Sequence, residues 1–133
     1  GHPAVRANVR VRWKDGRRHL ARETGMISNE TIQAMVRRIV ERFAPERIVL
    51  FGSYARGEAT EDSDVDLLVE FERDPRNNRR GNPVHRMLAE EFLVPTDVII
   101  RTSDAVRKYR DTRYGLIHEA FTEGKVLYER EGR

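Results

Sequence analysis

The sequence predicts an α+β domain: a small mixed β-sheet flanked by helices, mainly on one face. Three observations carry this. Apolar residues from Ile32 to Phe43 recur at helical spacing. Three short runs rich in β-branched and aromatic residues, RIVLFG, VDLLVEF and TDVII, are interspersed with helical segments. The first two are joined by a polar loop of about a dozen residues, in which YARG reads as helical with its N-terminal amides toward an anion.

Residues 1–25, GHPAVRANVRVRWKDGRRHLARETG, differ in character from the rest. VRVRW alternates enough for an edge strand, and KDGR is a turn signal. This stretch is read as a basic N-terminal arm or an artificial extension, with the domain proper at 26–133, from Met26. Ser28 or Asn29 can cap the first helix, and Glu30 suits its first turn. Ile32, Met35, Val36, Ile39, Val40 and Phe43 then form one buried face, and Pro45 ends the segment.

RIVLFG, Arg47 to Gly52, is the first strand, and VDLLVEF, Val65 to Phe71, is the second and central one. ERDPRNNRRGNP is a loop. VHRMLAEEF, Val84 to Phe92, fits a helix with Val84, Met87, Leu88 and Phe92 inward. TDVII is a third strand. Ser103 can cap a further helix that runs to about Phe121, with Leu116, Ile117, Ala120 and Phe121 as its core stripe. GKVLYE closes the domain as a short strand. Tyr54 reads as partly exposed packing, His85 as an exposed helical residue, and His118 as a partner-surface residue.

A chain of 133 residues suits one domain with a modest core. It has no cysteine, which excludes disulfides and thiolate metal sites and fits a reducing cytoplasm. No apolar run nears the roughly 18 residues that cross a bilayer, so no membrane partner is expected. A net charge of +3 permits an anionic ligand but does not by itself indicate DNA binding. RNNRRGN reads as a solvated loop, with direct nucleic-acid contact as the lesser reading.

The chemistry concentrates between Gly52 and Asp66. Side chains alternate along a strand, so Asp64 and Asp66 emerge on one face while Val65 and Leu67 enter the core. Two carboxylates that close repel unless cations neutralise them, and hard oxygen ligands suit Mg²⁺. Gly52 lets backbone amides approach an anion, and the Ser53 hydroxyl adds a donor. Arg56 can pair with a phosphate or with the acidic loop EATED, and Ser63 can join the nucleotide set or act as a turn residue orienting the aspartates. If TDVII pairs beside VDLLVEF, Asp97 reaches the same face. Asp64, Asp66 and Asp97 would then cradle two cations, with Asp97 as general base.

Residues 52–66, GSYARGEATEDSDVD, resemble the G-S-x-A-R-G…S-D-x-D signature of the DNA polymerase beta-type nucleotidyltransferase superfamily. The small size resembles its minimal members, the antitoxin partners of HEPN-type toxins, and the likeness runs from about Ile32 to Tyr128. The resemblance implies Mg²⁺-dependent transfer of AMP from ATP, with catalytic, metal-binding aspartates at Asp64, Asp66 and Asp97 and phosphate-binding residues at Gly52 and Ser53. It also implies a tyrosine of a HEPN-type toxin as acceptor. Two alternatives stand beside it: an antitoxin that neutralises by binding alone, and an enzyme for a small acceptor such as an aminoglycoside.

Overall fold

The computed structural model describes residues 26–131. The strand expected at VRVRW, the turn at KDGR and the nature of the 1–25 segment lie outside the described residues.

Helix α1, Asn29–Phe43, begins where the Ser28 hydroxyl accepts the Thr31 N–H at 3.1 Å. It ends because Pro45 disfavours helical geometry at Ala44, which turns instead into the left-handed region at φ 50°. Strand β1, Arg47–Phe51, follows, then a four-residue helix α2, Ser53–Arg56, and strand β2, Val65–Phe71. Helix α3, Pro83–Glu91, is capped by Asn82, whose Oδ1 accepts the His85 N–H and whose Nδ2 donates to the Val98 carbonyl. One side chain thus starts the helix and ties it to strand β3, Thr96–Thr102. Helices α4, Ser103–Tyr109, and α5, Leu116–Glu123, precede strand β4, Lys125–Glu129.

Two expectations need correction. The helix expected from Ser103 to about Phe121 is two helices. Between them Arg110, Asp111, Thr112 and Arg113 supply no apolar face to bury, and Gly115 at φ 122° redirects the chain. The cap is Thr102, whose hydroxyl accepts the Ala105 N–H at 3.2 Å; Ser103 lies inside the helix. Phe92 ends α3 in extended conformation and packs partly buried against the core.

The sheet order is β3-β2-β1-β4. β2 is antiparallel to β1 and parallel to β3, and β4 is antiparallel to β1. A register shift between Ile48 and Val49 leaves Leu127 as an extra residue in β4, so Leu127 and Tyr128 both enter the core. The longer helices cover one face: Ile32, Met35, Val36 and Ile39 of α1 and Val84, Met87 and Leu88 of α3 pack on Ile48, Leu50, Val65, Leu67 and Val69. A smaller cluster covers the other face, where Ile117 and Ala120 of α5 meet Val49, Phe51 and Leu68. Among the described residues no helix is long and apolar enough to cross a membrane.

A buried ion pair lies at the far end of this second layer. Arg47 Nη1 lies 3.2 Å from Glu70 Oε1, and Glu70 is only 1% exposed. Arg47 also bridges to Glu129 at 2.9 Å, and its guanidinium stacks 5.2 Å from the Phe121 ring, which Arg110 approaches at 4.4 Å. Arg47→Met strips a buried carboxylate of its guanidinium and is expected to cost about 3–5 kcal/mol in urea unfolding. A loss below about 1 kcal/mol would show the pair to be dispensable.

Candidate active site

The site is built where β1 ends and β2 and β3 begin. After Phe51 the chain turns through Gly52 at φ 74°, ψ −156°, a conformation that only glycine adopts readily. A side chain there is excluded twice over. A Cβ on Gly52 would stand 2.1 Å from Asp66 Oδ2. The missing side chain is therefore what lets the Asp66 carboxylate lie against the turn.

The Gly52 carbonyl accepts the N–H groups of Ala55 and Arg56, both at 3.1 Å, and so starts α2. Gly57 in the left-handed region closes it, and the Glu58 N–H returns to the Ser53 carbonyl at 2.9 Å. Ser53 is half-buried at the head of this helix. Tyr54 is buried rather than partly exposed, and its hydroxyl accepts the Ile27 N–H at 3.0 Å.

Antiparallel pairing sets Asp66 opposite Phe51, beside the turn. Parallel pairing sets Asp66 directly against Asp97, so the two carboxylates share one face of the sheet. Val65 and Leu67 point the other way and are fully buried. Asp64 stands exposed just before β2, and the Val65 N–H that follows it donates to the Pro95 carbonyl at 2.9 Å. That bond ties the entrances of β2 and β3 together. The condition for Asp97 to join the pair, a third strand beside the second, is thus met.

The half-buried Asp66 carboxyl is pushed up to about 6. Burial is the main cause, and the charges of Asp97, Asp64 and Glu119 add to it, while Arg56 opposes them. Glu119, half-buried on α5, is a third acidic neighbour of Asp66, one that the sequence reading missed. Its position inside the core stripe Leu116–Phe121 hid it. Among the described residues no three His, Cys, Asp or Glu side chains are gathered closely enough to hold a metal ion as they stand.

The remaining expected site residues are placed as follows. Arg56 holds Glu58 of the acidic loop at 3.0 Å and reaches Glu123 of α5 at 3.7 Å. Ser63 shapes the loop that delivers Asp64: its hydroxyl accepts the Thr60 N–H at 2.9 Å, and its own N–H donates to the Thr60 carbonyl at 3.0 Å. This is the turn role. His85 is exposed, and His118 is tied to the Arg110 carbonyl and to Thr122 within its own segment. A polar cavity of about 560 Å³, lined by Glu46, Glu72, Arg73, Ser103, Arg107 and Arg130 among others, lies at the opposite end of the strands.

A four-stranded mixed sheet with acidic residues from neighbouring strands beside a Gly-Ser turn matches a known class. The chain belongs to the nucleotidyltransferase domain family, whose model matches residues 32–121. A relative from Thermococcus cleftensis, named protein adenylyltransferase MntA, is 48% identical over 54 residues, which are 38% of this chain and 54% of the relative. The chain thus spans about half the length of that relative. A second, MJ1305 of Methanocaldococcus jannaschii, named provisionally as a protein adenylyltransferase, is 30% identical over 110 residues, 77% of this chain and 73% of the relative. A crystal structure from Sulfolobus solfataricus, named provisionally as a nucleotidyltransferase, shares the fold with a TM-score of 0.54 at 18% identity, covering 91% of this chain and 96% of that one.

Two outcomes follow from this geometry. Asp66 titrates higher in the folded chain than in the unfolded one, so the folded state holds the extra proton between about pH 4 and 6. Its contribution is therefore most favourable below about pH 4 and is lost as pH rises through about 6. Asp66→Asn should raise the melting temperature above pH 6.5 relative to wild type, with the gap closing near pH 4; a gap that widens on acidification contradicts the assignment. Gly52→Ala should cost about 1–3 kcal/mol from backbone strain, read by urea unfolding, and displace the Asp66 carboxylate.

Proposed function

We propose that this domain transfers AMP from ATP to a protein hydroxyl, and that the acceptor is a tyrosine of a cognate HEPN-type toxin, which the transfer silences. The observation that carries the reading is the in-register pair Asp66 and Asp97 beside the Gly52 turn. The relative named protein adenylyltransferase supports a protein acceptor.

Asp64, Asp66 and Asp97 would hold the divalent ions. The fit rests on donor chemistry: three hard oxygen donor groups, with the Asp66 charge disfavoured first by burial and then by its acidic neighbours, a cost that a bound cation would offset. When bound, two Mg²⁺ would acidify the attacking hydroxyl and neutralise the leaving pyrophosphate. The Gly52–Ser53 amides and the Ser53 hydroxyl would orient the triphosphate. Arg56 would reach phosphate by giving up exposed pairs that are individually worth little. The acceptor oxygen attacks the α-phosphorus, the bond to pyrophosphate breaks, and Asp97 takes the hydroxyl proton on a carboxylate oxygen.

The test incubates the chain with α-labelled ATP, Mg²⁺ and the product of the adjacent reading frame. Label is expected on a tyrosine of that protein and should fall about 10²- to 10⁴-fold in Asp97→Asn, the range of a lost general base. Tight binding without label would leave a masking antitoxin instead. Label found only on a small acceptor such as an aminoglycoside would move the activity to that substrate class.

A further inference from the structure

We propose that Tyr54 is a positioning residue whose hydroxyl fixes the angle of the Gly52–Ser53 turn. The inference rests on the nucleotide-binding reading of that turn.

Helix α2 has four residues, far too few to be stable alone. Its cap, Gly52, makes no side-chain hydrogen bond and is the most permissive residue in the chain's repertoire. Yet the turn must keep its close fit against the Asp66 carboxylate, where not even a methyl group has room. Something outside α2 therefore holds it.

The four side chains of α2 differ in what they can do. Ala55 is buried but makes only non-directional contacts. Arg56 reaches Glu58 and Glu123 through exposed pairs, which hold weakly. Ser53 is the half-buried residue that faces the proposed ligand. Tyr54 alone combines burial in the larger core, at 7% exposure, with a directional tie: its hydroxyl accepts the Ile27 N–H at 3.0 Å.

Ile27 is a sound anchor. It packs against the same core and directly precedes Ser28, whose hydroxyl caps α1. The turn is thereby referenced to the start of the longest helix, 27 residues earlier in the chain. Phenylalanine at position 54 would keep the buried ring and lose only the tie.

The test compares wild type with Tyr54→Phe in the full chain. Amide exchange at residues 52–56 of the nucleotide-free protein should quicken about three- to tenfold, the range of one neutral hydrogen bond. The ATP–Mg²⁺ dissociation constant should weaken by a similar factor, while turnover at saturating ATP stays within about twofold because no carboxylate is touched. Ile27→Pro removes the donor without altering α2; it should reproduce both effects, and the double variant should be no worse than either single one. Unchanged exchange at 52–56 with only a lowered melting temperature would reduce Tyr54 to core packing. A wild-type chain that binds no nucleotide would sink the nucleotide reading, while the exchange comparison would still decide the tie.

Discussion

The parallel pairing of β2 with β3 is the constraint on which the site depends. It sets two carboxylates side by side in register, Asp66 against Asp97, with Asp64 just outside. Like charges at such spacing oppose folding, and the half-buried Asp66 carboxyl is pushed up to about 6 by burial first and by the neighbouring acidic charges second. A stability-driven sequence would place apolar or alternating polar residues there. The strand instead places Asp64 and Asp66 on one face at its entrance and the fully buried Val65 and Leu67 on the other. Function and stability are divided there between the two faces of one strand.

The layers on either side explain how the strain is borne. The face under α1 and α3 is apolar throughout, and it supplies most of the core. The face under α4 and α5 carries the charged elements: Asp66 at one end and the Arg47–Glu70 pair at the other. α5 serves both ends, presenting Phe121 to Arg47 and Glu119 to the neighbourhood of Asp66. Its closing residue, Gly124, has no room for a Cβ, which would meet the Ala120 and Leu50 carbonyls at 2.2 and 2.6 Å. The helix is thus pressed onto the strand that leads into the turn.

Much of this was legible in the sequence because its signals are local. The period of α1, the β-branched strands and the two-residue spacing of Asp64 and Asp66 each follow from neighbours in the chain. Asp97 was legible only conditionally, since its place depended on which strands pair. What escaped were features set by distant contacts. Tyr54 reads in sequence as partly exposed packing but is buried in the core and accepts the Ile27 N–H. Glu119 looks like one polar position in a core stripe until α5 is laid over β2. The break between α4 and α5 was present as a lack of apolar residues from Arg110 to Arg113, yet the strong stripe after Gly115 outweighed it.

The irregular pairing of β4 also bears on the edge of the sheet. Among the described residues the four-stranded sheet is bounded by β3 on one side and β4 on the other, and a sheet edge is where a strand from another copy can add. On the β4 rim the extra residue Leu127 breaks the even ladder, and the strand is only five residues long, opening with a lysine. A short, kinked, charged rim offers a poor template for stacking, so the defect that buries Tyr128 also guards against fibril growth.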